Sequence, residues 1–452
     1  MSTVHQSTTS VGRQLGRFVA ELADADVPAE VAEKLRTSLL HNLSCALGAS
    51  TQGAALWELA RGRGPAEATM LCDGDRVLAE DAAFANGALM HTRAQDDTFF
   101  AGKTHIGSAV FPAALAIAER EGSDGAAFLR AITAGCEVGC AVSERLAAVS
   151  TARGFRATPV FSPLGAAAAS ASLLGLDAEG ISNAIAIAAN FAGGLNQTWI
   201  DGTSEYRLHL GMAARHGVHA ARLAQAGFTG APHWYEGAAG FANAFAGPDA
   251  DLDIAGDWEL GTRWRSLDVT YKPYPVCAIT QSPVQVAIDL ANRHDIDPAQ
   301  IVAVRVHLNP ADRSYPGTVN EGPFVDVGAT LMSAQYCVAM ALKHRSATLE
   351  GLREFDDEVI ARLVSVTEVL PDEGLPSLAG RVEVDLDAGT VGGELVPDVY
   401  TYGWDWNGVV ANIKRMEPEI ALDRAQLDAL EQAVHGLADL DSVSPIVRGT
   451  VA

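Results

Sequence analysis

From about Val11 to Phe245, apolar residues recur at spacings of three and four, the period of one buried helix face. VAEKLRTSLLHNLSCALGA and DGAAFLRAITAGCEVGCAVSERLAAV show this pattern, and each predicts a packed helix. LGAAAASASLLGL, EGISNAIAIAANFAGG and LGMAARHGVHAARLAQAG are dominated by Ala and Gly. Such small faces let helices approach closely, so a compact multi-helix body is expected. No fixed-period repeat runs through it, which argues against a solenoid. Asp177 is placed to cap a helix beginning near Ala178. After Gly261 the texture changes. IVAVRVHL (301–308), LVSVTEVL (363–370) and RVEVDLDAG (381–389) alternate or are rich in β-branched residues, and they predict strands. The helical stretches ITQSPVQVAIDLANRH and ATLMSAQYCVAMALKH lie between them. The expected fold is therefore mainly α: a large all-helical domain and a smaller α+β domain over residues 268–405. The tail LDRAQLDALEQAVHGLADL is helical again and is expected to return to the first body. The helical domain, residues 11–267 and 406–452, is then discontinuous in sequence.

Charge and composition narrow the function. Across 452 residues, 32 Lys+Arg stand against 56 Asp+Glu, a net charge of −24, and no basic run exists to hold phosphates. Nucleic acid is thus excluded as an expected partner. With 48% apolar residues the chain can bury a sizeable core. No stretch reads as about 18 strongly apolar residues, so no membrane span is expected. The first residues, MSTVHQSTTSVGRQ, lack the apolar centre of a secretory signal and read as a frayed leader. Six scattered cysteines sit mostly in apolar segments, the usage of a reducing compartment, so a cytoplasmic location is expected. Cys136 and Cys140, one helical turn apart, read as two buried thiols on one face.

Familiar catalytic signatures are absent. FAGKTHIG contains Gly-Lys-Thr, but Asp97 occupies the position where a phosphate loop needs its first glycine. No dinucleotide fingerprint, zinc-protease helix or nucleophile elbow appears. His209, His216 and His219 share a helical stretch, where His216 and His219 could share a face but find no third ligand, so no metal is assigned. Four polar clusters remain. The stretch from His91 to His105 gathers His, Arg, paired Asp, Thr and Lys between two apolar helices, a natural setting for acid–base groups. Gly107 and Ser108 follow it and open a helix whose free amides suit an anion. STARGFRATPVFSPLG brings Arg153 and Arg156 toward a helix expected near Pro163, again suited to a carboxylate. GTSEYRLHLGMAARHG offers Tyr206, Arg207 and His209 at a helix start. In DVTYKPYPVCAIT, Pro273 and Pro275 restrain the backbone around Lys272, whose pKa burial would lower.

Taken together and in this order, DDT with THIGSAVFPAALA, RGFRATPVFSPLGAAAA, RLHLGMAARHGVHAARLAQAGFTGA and KPYPVCAITQSPVQVAIDL resemble the MmgE/PrpD family. The resemblance extends from about Val11 to Arg415. It implies a discontinuous helical domain, an α+β lid, a homodimer, and a site between the two domains that needs no metal or organic cofactor. It also implies dehydration, decarboxylation or epimerisation at a carbon alpha to a carboxylate. Matched residue by residue, Asp97, Thr98 and His105 fall on the family's polar loop with Asp96 beside them, Lys272 on its lysine, and His209 with Gly211 on its Leu-His-x-Gly element.

Departures from the family pattern shape the expectation. Ala94 stands where dehydratase and decarboxylase members carry Asp, and one extra residue separates Thr98 from His105. Arg156 and Tyr206 replace a histidine and a lysine, while Cys277 and Gln281 replace two later histidines. These changes argue against cis-aconitate as substrate, whereas Arg156 and Arg207 keep the positive charge an acidic substrate needs. The expected enzyme is a cofactor-independent lyase of the dehydratase type, acting on a small-molecule carboxylate. His105 and Lys272 would transfer protons, and Asp97 would orient His105 or bind a substrate hydroxyl. Arg156 and Arg207 would clamp carboxylates, with Asp96, Thr98, His209 and Cys277 completing the binding set. The alternative is an epimerase in which Tyr206 and Lys272 work from opposite faces of one carbon. A non-catalytic binding protein is the third reading, disfavoured because Asp97, Thr98, His105 and Lys272 are retained together.

Overall fold

The computed structural model describes residues 10–23, 27–62, 64–247 and 258–452. Most of the expected leader, residues 1–9, lies outside them. Eight longer helices build the first part: α1 (Val11–Ala23), α2 (Ala29–Leu47), α3 (Ala79–His91), α4 (Gly107–Glu121), α5 (Gly125–Ala152), α6 (Ala157–Leu173), α7 (Ala178–Ala188) and α8 (Glu205–Gln225). Asp124 caps α5 by accepting from the Ala127 amide at 2.7 Å, and Asp177 caps α7 through the Gly180 amide at 2.8 Å.

The small residues set how tightly these helices cross. A Cβ on Gly135 of α5 would lie 2.7 Å from the Gly165 carbonyl of α6, so the two backbones touch there. A methyl group at either position would force α5 and α6 apart. Such contacts place the N-terminus of α6 and the middle of α5 against the loop after α3, where the polar cluster lies. Helix α6 starts at Ala157, six residues before the expected Pro163, and takes Pro163 within its length. By length and composition α5 could span a bilayer, contrary to the expectation that no segment would. Yet 83% of its most apolar window is buried inside the protein, the signature of a core helix.

The second part contains a four-stranded mixed sheet and the helices against it. Helix α9 (Gln281–Arg293) leads into β1 (Ile301–Leu308); α10 (Ala334–His344) and α11 (Glu358–Ser365) follow, then β2 (Thr367–Pro371), β3 (Gly380–Leu386) and β4 (Gly389–Leu395). The order is β2-β1-β3-β4, with β1 and β2 parallel and the other pairs antiparallel. Val304, Val306 and Leu308 of β1 and Val382 and Val384 of β3 alternate inward and are buried. Pro283 of α9 packs so closely on Gly380 that a Cβ there would lie 2.5 Å from its Cδ.

Strand β1 coincides with the expected segment. The second expected strand is half right: residues 363–365 end α11 because Asp357 caps that helix at the Ile360 amide, and extension begins only at Thr367. Strand β4 was not expected, since its Gly-rich sequence GTVGGEL carries little strand signal. The tail forms α12 (Trp406–Met416) and α13 (Arg424–His435). Both pack on α2, and Arg36 of α2 donates to the His435 carbonyl at 3.1 Å.

Candidate active site

Two distant chain segments run side by side at the site. The Thr98 and Thr270 main chains exchange a pair of 2.9 Å hydrogen bonds, Gln95 Nε2 donates to the Pro273 carbonyl at 2.8 Å, and Lys272 Nζ donates to the Ala94 carbonyl. The first segment is pinned from behind. Arg93 donates to the Gly48 carbonyl at 2.8 Å and pairs with Glu419, while the Gln95 carbonyl is 2.9 Å from His41 Nε2. Ala94 adopts a left-handed conformation, φ 49°, at the bend between these anchors. Lys272 is thereby fixed against the loop that carries Asp96 and Asp97.

A cavity of about 540 Å³ opens beside this junction. Its lining includes His91, Thr98, His105, Arg156, Lys272 and Cys277, so five of the ten residues singled out from sequence reach it. The other five do not line it. Asp96 lies just behind, Asp97 and His209 lie in the surrounding shell, and Tyr206 and Arg207 face a smaller pocket of about 170 Å³ shared with Asp326 and Arg353.

Hydrogen bonding fixes the protonation pattern. The buried Asp96 carboxylate accepts from Ser108 Oγ at 2.6 Å and from His91 Nδ1 at 2.8 Å, with Lys272 Nζ at 3.9 Å and His105 Nδ1 at 3.6 Å. Burial alone would raise its pKa, but His91, His105 and Lys272 outweigh burial and hold it well below the usual carboxylate range. With its Nδ1 proton on Asp96, His91 turns Nε2 as an acceptor to Arg156 at 2.6 Å. Burial pushes His91 down to about 4 against the pull of Asp96, so the ring is neutral at pH 7. Arg156 is otherwise held by the Tyr206 carbonyl at 2.5 Å and His209 Nδ1 at 3.1 Å, and it lies over the Trp199 ring at 4.6 Å. Burial lowers it to about 10, where it still carries its charge.

His105 is positioned for base chemistry. Its Nδ1 donates to the Asp97 carbonyl at 2.8 Å, which leaves Nε2 as the basic nitrogen. Burial, then Lys272, pushes its pKa well below 6.5, so the ring is neutral at physiological pH. Burial also lowers Lys272, opposed mainly by Asp96. Asp97 orients His105 through its main chain. Its carboxylate instead accepts the Gly107 amide at 3.1 Å at the start of α4, and burial beside Asp96 raises it to about 7. Tyr206 donates to the Thr92 carbonyl at 2.6 Å, with its ring against Trp199 and His91. Burial raises its pKa.

His91, Asp96 and His105 present ligand atoms within 4.8 Å of one another, a spacing that fits a metal ion. Their chemistry does not suit a resident dication. His91 uses both ring nitrogens on Asp96 and Arg156, His105 Nδ1 serves the Asp97 carbonyl, and two cationic side chains adjoin the cluster.

Several lining residues were given no role from the sequence, His91 among them although it heads the polar stretch. His91 closes an apolar helix, and its role emerges only when the chain folds Asp96 back onto it. Asp312 and Tyr315 come from the segment after β1. Nothing in PADRSYPG marks them, because the β1 crossing that brings them to the cavity is a tertiary event. Burial pushes Tyr315 up to about 12.

Comparison with known proteins is consistent across the chain. The model described as MmgE/PrpD N-terminal domain matches residues 13–253, and the one described as MmgE/PrpD C-terminal domain matches residues 274–388. A cis-aconitate decarboxylase from Aspergillus terreus is 24% identical over 471 aligned positions, covering 97% of this chain and 96% of that protein. A cis-aconitate decarboxylase-like protein from Aspergillus oryzae is 32% identical over half of each chain. The human cis-aconitate decarboxylase is 34% identical over 43% of this chain and 40% of its own length.

Proposed function

Because this chain belongs to the MmgE/PrpD family, we propose that it is a cofactor-independent lyase of the dehydratase type, acting on a small polycarboxylic acid. One observation carries the reading: His105, with its Nε2 unprotonated, and the desolvated Lys272 line the same cavity beside Arg156. In the proposed reaction Arg156 and Lys272 hold a substrate carboxylate, and His105 Nε2 removes the proton from the carbon alpha to it. The electron pair of that C–H bond moves toward the carboxylate, where the two cations stabilise the developing charge. It then forms a carbon–carbon double bond as the C–O bond of a β-hydroxyl breaks. Lys272 gives its proton to the departing hydroxide, which leaves as water, and solvent carries the His105 proton back to Lys272. A lowered lysine pKa favours this donation, and a neutral imidazole is the form a base needs.

The names of the relatives favour a second outcome of the same proton chemistry, loss of carbon dioxide in place of water. Replacement of three positions of the decarboxylase pattern by Arg156, Tyr206 and Cys277 favours dehydration. Incubation with hydroxylated and unsaturated tricarboxylates in deuterium oxide separates the readings. Dehydration gives an unsaturated acid and water, decarboxylation releases carbon dioxide, and epimerisation gives exchange with neither. The absence of both turnover and exchange with every one of these acids would end the proposal. The reading also includes a homodimer in a reducing compartment. All six cysteines are free, and light scattering should give twice 47.3 kDa.

A further inference from the structure

The smaller pocket, of about 170 Å³, is a second space with its own charges. The helical body brings Arg207 to it, and the α+β region brings Asp326 and Arg353. None of these three lines the larger cavity. Tyr206 is the wall between the two spaces. Its ring lies against His91 and Trp199 of the larger one, and its hydroxyl donates to the carbonyl of Thr92, which lines the smaller one.

Arg207 is half-buried, and its Nε is cut off from solvent with no hydrogen-bond partner among the described residues. A buried N–H without an acceptor is unfavourable, and an incoming oxygen would satisfy it. Arg353 stands exposed at the rim, one arm of its guanidinium held by Gln52 Oε1 at 2.5 Å. Asp326 uses Oδ1 on the Gly328 amide at 2.8 Å. These are the ionised groups of the lining, so the pocket carries one positive charge in excess. A single carboxylate cancels that charge, and its paired oxygens match the guanidinium fork. A phosphate dianion would overshoot and be repelled by Asp326. A hydrogen-bond donor next to the ligand's carboxylate turns Asp326 from a repulsive neighbour into an acceptor. The volume is well under the ~300–1,000 Å³ of drug-sized pockets, so only a molecule of few heavy atoms fits.

We infer that this pocket binds a small 2-hydroxy or 2-amino acid, its carboxylate on Arg207 and Arg353 and its hydroxyl or ammonium on Asp326. The bound acid ties the helical body to the α+β region beside the catalytic cavity. Tyr206, whose carbonyl holds Arg156, lies between the two ligands.

Ligand-observed saturation-transfer NMR on the full-length protein tests this with L-lactate, L-alanine, propionate and inorganic phosphate. Lactate or alanine should bind, and which of them does so identifies the donor. Propionate, which lacks the donor, and phosphate should each bind at least about threefold more weakly. Arg207→Gln and Arg353→Gln, checked for folding by circular dichroism, should raise the Kd of the preferred acid about tenfold or more. Lys272→Met alters only the larger cavity and should leave that Kd within about twofold. Should Arg207→Gln fail to fold, Arg353→Gln at the exposed rim carries the test. Failure of both lactate and alanine to bind would overturn the inference, as would equal binding of propionate or phosphate. Undiminished binding in folded Arg353→Gln, or its loss in Lys272→Met, would place the acid elsewhere and overturn the inference as well.

Discussion

The two sides of the cavity are built by different physics. On the helical side, functional groups are buried, charged and mutually satisfied: Asp96, His91 and Arg156 form a hydrogen-bonded chain, and Lys272 reaches it from the first residues of the α+β segment, against a loop pinned at Arg93, Gln95 and Thr98. On the α+β side, side chains are mostly apolar and owe their place to the sheet and α9. The lesson is that reactivity and selectivity are separable here. Substitutions on the first side should damage chemistry, and those on the second should change which acid is accepted.

The largest expected effect is at His105. His105→Gln keeps a polar side chain but removes the base, and kcat should fall by about 10²–10⁴-fold with KM changed far less. Steady-state kinetics on any turned-over acid checks this, and a change confined to KM would dissolve the contrast. Next is Arg156→Lys. It keeps one charge but cannot serve His91, His209 and the Tyr206 carbonyl together, so KM should rise by about 10–100-fold. Restoration by Lys would show that charge alone matters. On the opposite side, Asp312→Asn removes a negative charge while keeping an oxygen acceptor for the Leu378 amide. It should leave kcat within about twofold and let compact acids bind more tightly, by a few-fold. A loss of kcat comparable to that of His105→Gln would put chemistry on both sides.

Acidity sharpens the same contrast through stability. His41 and His91 are lowered to about 4 and His209 to about 3, and His105 lies well below 6.5, all chiefly by burial. Between those values and 6.5 the unfolded chain binds more protons than the folded one. Their contribution is therefore intact above about pH 6.5 and is lost as pH falls. Asp97, raised to about 7, has the opposite sign and makes the fold lose stability as pH rises from about 4 to 7. Burial lowers His216 as well and raises Glu137, and five imidazoles against two carboxyls predict net destabilisation on acidification, measurable as a falling Tm from pH 7 to 5. Asp97→Asn removes one opposing carboxyl and should steepen that fall.

The sequence revealed the helical side far better than the other. Periodicity found the helices, and the polar breaks between them marked His105, Thr98, Arg156 and Lys272, because charged residues inside apolar runs need partners. Helical phase was not readable. Tyr206 and Arg207 adjoin the site in sequence, yet α8 begins at Glu205 and turns both toward the smaller pocket. The role of Asp97 was legible only as a residue, since it is the main-chain carbonyl that holds the imidazole. Asp312, Tyr315 and Met332 reach the cavity through strand pairing and loop packing, and no local pattern encodes that arrangement.

The central claim is that a proton leaves an acid's alpha carbon between His105 and Lys272. Proton NMR of solvent deuterium incorporation, comparing the parent enzyme with a folded Lys272→Met variant at saturating acid, tests it most directly. The account predicts deuterium at the alpha carbon with the parent enzyme, and a loss of at least about 10²-fold in that rate with the variant. Exchange at the parental rate in the variant would contradict it.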